Sequence, residues 1–435
     1  MYYGLKPLPI FFTSETATFT EPSIILHENN HQSKEIMKLT TVKYLGAIIL
    51  TAQTKVGLPQ EFTAPLEKSP VQMSVYYPVT TQGANTVNYH YNFSFNLFTG
   101  RVGAVTGVEF GGLFNRVEDK VNGVQFAGLT NTTKSTTGIQ FSGISNFAND
   151  VLGLQFGGIA NLSEFANGIQ FAGITNLTDS VKGIQFGGIA NISKSVTGMQ
   201  FAGITNLAEK NNGFQFAGIY NGTDEISGYQ FAGIANVSNQ VKGGSFGGVF
   251  NRTGTLTGVQ FGVVNVIDTI DSGVSIALIS IVKKNFYDEW ALTFADYQNV
   301  GISYKLGMQK FYTIYSVGVN FIEDKLWVFG VGFGHRRALG KKIDFQPEIV
   351  SYNYHSENFK NYRNTWANHV KFGFIYNLSP KLGIVVAPGI YHLMFEHKDG
   401  LEDVKVNSNS FHFSYNDNYQ RNNIGIAVSV GLIMR

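Results

Sequence analysis

The sequence predicts an all-β protein in which a β-solenoid of fifteen-residue repeats is combined with an antiparallel β-barrel of the outer-membrane type. Three observations predict this class: a composition low in charge and rich in glycine and aromatic residues, a central array with a constant step, and long flanking segments in which apolar and polar residues alternate. The composition indicates the class, the array indicates the solenoid, and the alternation indicates the barrel.

The composition excludes several classes of protein. Of 435 residues, 49 are Gly, 36 are Phe and 21 are Tyr, and the charged fraction is 14%, against roughly 25% in an average soluble domain. A disordered chain needs high charge and few aromatics. The lack of Cys excludes disulfides, cysteine zinc sites and thiol catalysis. With a net charge of +2, no nucleic-acid partner is expected.

The N-terminal region has the layout of a secretory protein. Residues 1–36 show no period, and we expect them to be an upstream extension outside the mature protein. Met37 is a second possible translation start, and Lys38 and Lys43 follow it and precede the apolar stretch 44–52. Segment 37–52 therefore reads as a signal peptide, too short to span a bilayer as a helix of roughly 20 residues. The alternative is a buried strand of a cytosolic protein.

Residues 106–275 form a repeat array. Gly recurs every fifteen residues from Gly123 to Gly258, and Phe follows three positions later in every unit. Gln precedes that Phe in nine of the ten units, and nine units also have a second Gly five residues in and an Asn eight residues in; Val263 breaks the Gly series. The unit reads Gly-apolar-Gln-Phe-small-Gly-Ile/Leu-x-Asn, followed by a variable polar half.

Two architectures fit this array, because fifteen residues cannot hold a helix pair. In a solenoid, coils stack about 4.8 Å apart, so ten coils make a rod of roughly 48 Å. We expect Phe to stack on Phe inside the rod and Asn to lie at a corner and bond the next coil's backbone. In the other architecture each unit is one strand and turn of an antiparallel barrel. The constant step favours stacked coils, although a faint thirty-residue alternation keeps the second architecture open.

The repeated amides and rings are predicted to form a structural ladder. Buried Gln and Asn side chains can be satisfied by the identical residue one coil away. A ladder that binds a ligand is the alternative. The residues that represent the predicted ladder are Gln140, Phe141, Asn146, Gln170, Phe171, Asn176, Gln200, Phe201 and Asn206.

The flanks read as strands with a two-residue period, with the first barrel strands in 53–105 and the remaining ones in 276–435. The last segment is typical, because one face carries only apolar residues and the other carries Gly, Ala and Ser. Strands of nine to eleven tilted residues span a bilayer, with apolar residues towards lipid and small or polar ones inside. We expect eight to twelve strands. A soluble β-sandwich also alternates, and the chain ends on Met434-Arg435 rather than on an aromatic residue.

The order of these parts resembles a known family. PVQMSVYYPVTTQGAN (70–85), YNFSFNLFTGRVGAVTGVEFGGLFNRV (91–117), the GxQFxGIxN array and a strand-rich C-terminus are similar to the surface-repeat-containing outer-membrane proteins of Bacteroidetes-type and spirochaete bacteria. The resemblance covers roughly residues 70–435. It implies an outer-membrane or cell-surface setting but no reaction, and no site residues can be carried over from it.

No catalytic, cofactor or metal residue is assigned from the sequence. The nine His have no metal-ligand spacing, GVGFGH (330–335) lies in a strand pattern rather than before a helix, and GxSxG is absent. Solenoid enzymes that cleave polysaccharides need clustered carboxylates, whereas the array has acids only at unmatched positions. Lys305, Lys371 and His369 are predicted to point into the barrel, where they would tune anion passage or pack against carboxylates in a filled barrel.

These observations predict a non-enzymatic outer-membrane or cell-surface protein of a Gram-negative bacterium, which needs no cofactor. Its solenoid would present a repetitive surface to an unknown surface or protein partner, and its barrel would contact the lipid bilayer. One alternative is a pore or transport component of the outer membrane. A further alternative is a β-solenoid enzyme acting on polysaccharide.

Overall fold

A computed structural model of the chain describes residues 65–284, 286–321, 325–356, 365–396, 412–416 and 420–435. Contacts divide the chain into the units Met1–Gly57 and Leu58–Arg435, and every described residue belongs to the second. The predicted upstream extension (1–36) and signal segment (37–52) lie outside the described residues. The strands form one sheet of twenty and one of ten, and the predicted fold class, a β-solenoid with an antiparallel β-barrel, is confirmed.

The first sheet winds into a solenoid of about 13 turns whose strands pair in parallel, apart from one short antiparallel pair at its start. A 3-10 helix, Gly83–Asn88, lies between its second and third strands. The solenoid strands are β1 (Glu67–Tyr76), β2 (Val79–Thr80), β3 (Tyr89–Asn96), β4 (Thr99–Val102), β5 (Ala104–Gly111), β6 (Phe114–Ala127), β7 (Thr130–Ser142), β8 (Ser145–Gly157), β9 (Ala160–Ala172), β10 (Thr175–Gly187), β11 (Ala190–Ala202), β12 (Thr205–Asn211), β13 (Phe214–Ala217), β14 (Tyr220–Ile226), β15 (Tyr229–Ala232), β16 (Ala235–Val241), β17 (Gly244–Gly247), β18 (Phe250–Leu256), β19 (Val259–Ile270) and β20 (Val274–Val282).

From β7 to β18 the coils stack in register, so each paired residue lies beside the residue fifteen positions later. Gln185 pairs with Gln200 and Phe186 with Phe201 where β10 meets β11. The first Gly of the unit makes this approach possible: Gly168 has a φ of +146°, and a Cβ there would lie 1.9 Å from the carbonyl oxygen of Gly153. Only glycine tolerates both conditions. The parallel register confirms the stacked-coil architecture and excludes the antiparallel one.

The predicted domain boundaries need correction at both ends of the array. The described part of 53–105 does not supply barrel strands, because β1 pairs in parallel with β3, and β3 with β5, in the solenoid sheet. At the other end, β20 carries the solenoid to Val282, beyond the predicted limit of 275. The reason is that a two-residue alternation is common to coils and barrel strands, so it does not reveal the direction of the neighbouring strand.

The second sheet is a closed eight-stranded barrel. Neighbouring strands pair antiparallel, and the first strand pairs with the last, which closes the ring. Two short strands are not part of the ring: β25 pairs with β26, and β29 pairs with β30. The strands are β21 (Tyr287–Ala295), β22 (Val300–Met308), β23 (Phe311–Asn320), β24 (Leu326–Gly334), β25 (Arg337–Ala338), β26 (Ile343–Ser356), β27 (Thr365–Asn377), β28 (Leu382–Glu396), β29 (His412–Asn416) and β30 (Gln420–Met434).

The barrel strands alternate between an apolar outer face and a small or polar inner face, as the period predicts. In β30, the outward residues Ile426 and Val428 are about half exposed, whereas Ala427 and Ser429 between them are buried. The inner face of the barrel is filled by a cluster of tyrosines that includes Tyr312, in which each ring is almost fully buried. The described residues include no helix long and apolar enough to cross a bilayer.

The solenoid ends against the barrel. Its last strand, β20, lies beside β22 and β23. The Thr313 hydroxyl donates a 2.7 Å hydrogen bond to the carbonyl oxygen of Ala277, and the Tyr315 hydroxyl donates one to that of Leu278. The final coil and the barrel wall therefore meet through direct contacts.

Candidate binding surface and barrel interior

The glutamines of the repeat form a hydrogen-bonded ladder inside the solenoid. The Gln140 amide nitrogen donates to the Gln125 side-chain oxygen at 2.8 Å, and the same bond joins Gln170 to Gln155 and Gln215 to Gln200. These side chains are fully buried. From Gln125 to Gln215, each glutamine thus donates towards the N-terminal end of the rod, whereas Gln230 donates to Ser245 of the coil that follows.

The asparagines form a second internal ladder that runs in the opposite direction. The Asn146 amide nitrogen donates to the side-chain oxygen of Asn161 at 2.9 Å, and also to the backbone carbonyl of Phe156 at 2.9 Å. Asn176 and Asn206 repeat this arrangement in their own coils. Each asparagine is therefore bonded to the backbone of the next coil, and the two amide ladders point in opposite directions along the rod.

The phenylalanines do not lie inside the rod, which corrects the prediction. Phe141, Phe171 and Phe201 are half-buried on the outer surface, because neighbouring residues in a strand face opposite ways and the adjacent Gln faces inward. They do stack: successive rings are 4.7–5.1 Å apart and within 11° of parallel in a continuous row of ten. The interior accepts amides in place of rings because the amides bond one another along most of the rod.

A long apolar groove runs beside this row of rings. Its volume is about 1020 Å³, and each coil contributes a Phe, the small residue after it and a Gly. The Gly row stays without side chains for a steric reason: a Cβ on Gly158 would lie 2.0 Å from the carbonyl oxygen of Gly143. Ser142 alone brings a polar side chain to the lining. We call this feature the Phe groove; it lies between the rings of Phe126 and Phe246.

The Phe groove continues towards the barrel. A second cavity of about 390 Å³ shares Phe246 with it and is lined further along by Phe261, Leu278 and Phe333. Phe333 belongs to barrel strand β24, in the same row as Val331, which is 44% exposed on the outer face. The apolar surface of the solenoid and that of the barrel are therefore contiguous at this point.

The charged residues of the array lie outside the Phe groove. Lys194 Nζ lies 2.7 Å from the carboxylate of Asp179 one coil earlier, and both side chains are largely exposed. Lys210 and Glu225 make a looser pair at 3.9 Å. Exposed pairs of this kind contribute little to stability. They give the solenoid a charged side, separate from the apolar one.

The barrel interior is filled by an ion-paired network. Glu289 lies 2.7 Å from Arg336, 3.1 Å from Lys305 and 3.1 Å from Arg435. Lys305 also lies 2.6 Å from Glu348. All of these groups except Arg435 are almost fully buried. Lys305, predicted to point into the barrel, does so, and it packs against carboxylates.

Lys371 and His369 occupy the same interior. Lys371 Nζ lies 3.4 Å from Glu348 and donates to the hydroxyl of Tyr352 at 3.1 Å. His369 lies among aromatic rings, with its centroid 4.1 Å from that of Tyr297 and 5.3 Å from that of Tyr391. Lys305 and Lys371 therefore pack against carboxylates, as the second interpretation predicts, whereas His369 packs against tyrosine rings.

Sequence reasoning missed the partners of this network. Glu289 and Glu348 occupy inward positions in the alternation of β21 and β26, and this alternation is enough to predict that both acids face the barrel interior. Arg336 follows β24 and reaches Glu289 across the barrel, a contact that no sequence spacing reveals. Within the described ranges, no group of three or more His, Asp or Glu side chains could hold a metal ion.

Comparisons with known proteins identify no relative: no family model, no curated protein and no solved structure matches the chain.

Proposed function

We propose that this protein is a non-enzymatic outer-membrane protein of a Gram-negative bacterium, anchored by its barrel and presenting its solenoid as a binding surface. One observation carries the proposal: a closed antiparallel barrel has an apolar outer face and a charged, ion-paired interior. That distribution is the reverse of a water-soluble domain and is typical of barrels in lipid.

The outer face supports a lipid environment in detail. Outward side chains are large and apolar, with exposures from 37% at Leu382 to 58% at Ile349. Soluble monomers rarely expose contiguous apolar patches of more than a few hundred Å². The barrel strands have 9 to 15 residues, and about nine to eleven tilted residues cross a bilayer. Closure also leaves no open strand edge in the ring, as a lipid environment requires.

The barrel interior supports an anchor more than a channel. Glu289, Glu348 and their cationic partners, together with the tyrosine cluster, occupy the lumen. A water-filled pore needs free space along its axis. The pore alternative is therefore less well supported, and no observation in the described residues favours a polysaccharide-cleaving site.

The solenoid supports a role in binding. It repeats one apolar feature, the Phe groove, over nine coils, and it carries a charged side elsewhere. A repetitive elongated surface suits an extended ligand, since each coil offers the same contacts. The proposed role of the barrel is to hold that surface at the membrane.

Fractionation tests the proposal. The protein expressed in a Gram-negative host is expected in the outer membrane, resistant to extraction by urea. Ile426→Lys with Val428→Lys should reduce insertion, because Lys on the lipid face costs roughly 2–4 kcal/mol at the midplane. Asp179→Lys, on the exposed side of the solenoid, is the control and should insert normally. Recovery of the unaltered protein in the soluble fraction would contradict the proposal.

A further inference from the structure

We infer that the Phe groove binds the acyl chains of membrane lipids, which enter it from the outer surface of the barrel. This inference rests on the proposed membrane location of the barrel and names the ligand of the solenoid. Its basis is continuity: the Phe groove shares Phe246 with the cavity that ends at Phe333 on barrel strand β24. An apolar path thus leads from the outer face of the barrel along the solenoid.

The lining of the Phe groove matches a hydrocarbon chain. It consists of Phe rings, small side chains and Gly, with no charged residue, and Ser142 is its one polar side chain. Specific sites for polar ligands place a few hydrogen-bonding groups among their apolar ones. The repeating composition of this groove offers an alkyl chain contact along its whole length and offers a polar ligand almost none.

The backbone beside the Phe groove is already hydrogen-bonded, which argues against an added peptide strand. Gly158 N–H donates to the carbonyl of Ser142 at 3.0 Å, and Gly173 N–H donates to that of Gly157 at 3.2 Å. Peptides that join a sheet do so through unpaired backbone groups at an edge. The groove lies on the face of the coils, where these groups are used between coils, whereas an alkyl chain needs no hydrogen bond.

The length of the Phe groove fits lipid chains. Nine rings from Phe126 to Phe246 are separated by eight steps of 4.7–5.1 Å, or roughly 40 Å. The hydrocarbon core of a bilayer is about 30 Å thick, so chains in one leaflet are about 15 Å long. The groove therefore has room for more than one chain placed end to end.

The junction with the barrel keeps the path open. Phe333 stacks on Phe311 with ring centroids 5.4 Å apart, and both rings are half-buried. The hydrogen bond from Thr313 to Ala277 fixes the last coil against β23 beside them. Leu278, 46% exposed, lines the cavity between the coil and the barrel. No charged side chain lines this cavity.

Photolabelling in membranes tests the inference. The full chain is reconstituted in phosphatidylcholine vesicles in which a fraction of the lipid carries a diazirine in one acyl chain, and labelled peptides are located by mass spectrometry. We expect label on barrel strands and on the Phe groove. Phe186→Glu with Phe201→Glu should lower labelling of the array at least fivefold. Lys182→Glu with Thr197→Glu, at exposed positions of the same coils, should leave it unchanged.

A second variant covers the case in which the groove substitutions prevent folding. Phe333→Glu places a charge at the barrel end of the path and leaves every coil intact, and it should lower labelling of the array while the barrel remains labelled. Undiminished array labelling in that variant would overturn the proposed route.

The outcomes separate the two proposals. Label on the barrel alone overturns lipid binding by the Phe groove and leaves the membrane location standing. A protein with no label on either part overturns both. Cross-linking that joins two copies through their grooves would assign the surface to self-association and would also overturn lipid binding.

Discussion

Gln125 donates a 2.9 Å hydrogen bond from its amide nitrogen to a carboxyl oxygen of Glu109, so the glutamine ladder ends on a buried acid. Ser94 and Asn96 donate to the other oxygen of Glu109 at 3.1 and 3.0 Å. Burial is the largest influence and raises the pKa of Glu109 to about 7, against the opposing effect of these three donors. Glu109 occupies the position that Gln holds in most later coils.

The stability of the first coils should therefore depend on pH. The folded state holds the Glu109 proton up to about pH 7, whereas the unfolded chain releases it near its ordinary pKa of 4.5. Stability should fall as the pH rises from about 4.5 to 7 and stay lower by roughly 3 kcal/mol above that. Glu109→Gln should remove this dependence, as measured by denaturant unfolding at pH 5 and pH 8. Glu164→Gln, at an exposed position, should preserve it, and an unchanged pH profile in Glu109→Gln would contradict the assignment.

A buried asparagine should be replaceable with a gain in stability. Asn211 is fully buried, and neither its amide nitrogen nor its oxygen has a hydrogen-bond partner. The coils on either side place Val196 and Ile226 at the same register. Asn211→Val should stabilise the solenoid by about 1–3 kcal/mol, the usual cost of an unsatisfied buried amide. Thermal unfolding measures the change.

The matched control for that prediction is Asn206→Val in the same strand. Asn206 accepts from Asn191 and donates to Asn221, so its removal leaves buried partners unsatisfied and should destabilise the solenoid by at least about 1 kcal/mol. Equal effects of the two substitutions would show that the ladder is not the source of stability.

The glycine row beside the Phe groove should not tolerate alanine. A Cβ on Gly188 would lie 2.0 Å from the carbonyl oxygen of Gly173, whereas nothing lies within 4 Å of a Cβ on Gly340. Gly188→Ala should destabilise the array by about 1–3 kcal/mol, because the coils must move apart. Gly340→Ala should be close to neutral. Hydrogen exchange in β10 and β11 would locate the loosening, and normal protection there would refute the steric argument.

The ion-paired interior of the barrel should depend on Glu289. Replacing it with Gln leaves Lys305, Arg336 and Arg435 with one carboxylate fewer, and breaking a buried pair typically costs about 3–5 kcal/mol. The urea concentration that unfolds the barrel in detergent should fall accordingly. Asp179→Asn breaks an exposed pair with Lys194 and should change stability by no more than about 1 kcal/mol.

The filled barrel should not conduct ions. In planar bilayers we expect the unaltered protein to produce no steady open channel, because Glu348 is held between Lys305 and Lys371 across the lumen. Reconstitution should be checked by protease protection in the same vesicles. A stable conductance from protein shown to be inserted would return the pore alternative to first place.

Much of the fold could be predicted because the repeat step is constant. A step of fifteen brings Gln125, Gln140 and Gln155 into one row once coils are assumed, and their mutual bonding follows from chemistry. The eight-stranded ring follows less directly, since alternation predicts strands and faces but not which strand closes on which. The pairing of β21 with β30 has no local signal.

Other features could not be predicted, for physical reasons. Residues near Val71 and Phe95 alternate in the same way as barrel strands, so their place in the solenoid depends on a partner strand that sequence does not identify. Apolar rings are expected inside a rod, whereas the inner face of these coils is occupied by amides that bond one another. The Phe groove depends on the close approach of successive glycines in neighbouring coils. The sequence alone does not give that distance.

The opposed directions of the Gln and Asn ladders have a consequence for how the rod can change over generations. Between Gln125 and Gln215, the side-chain dipoles of one ladder oppose those of the other, so their electric moments along the axis of the rod partly cancel. Between Gln125 and Gln200, the ladder residues of each unit also present the same donors and acceptors to both neighbours. Duplication or loss of a whole fifteen-residue segment within this stretch would leave both ladders continuous, so we expect that the length of the rod can change there without compensating substitutions.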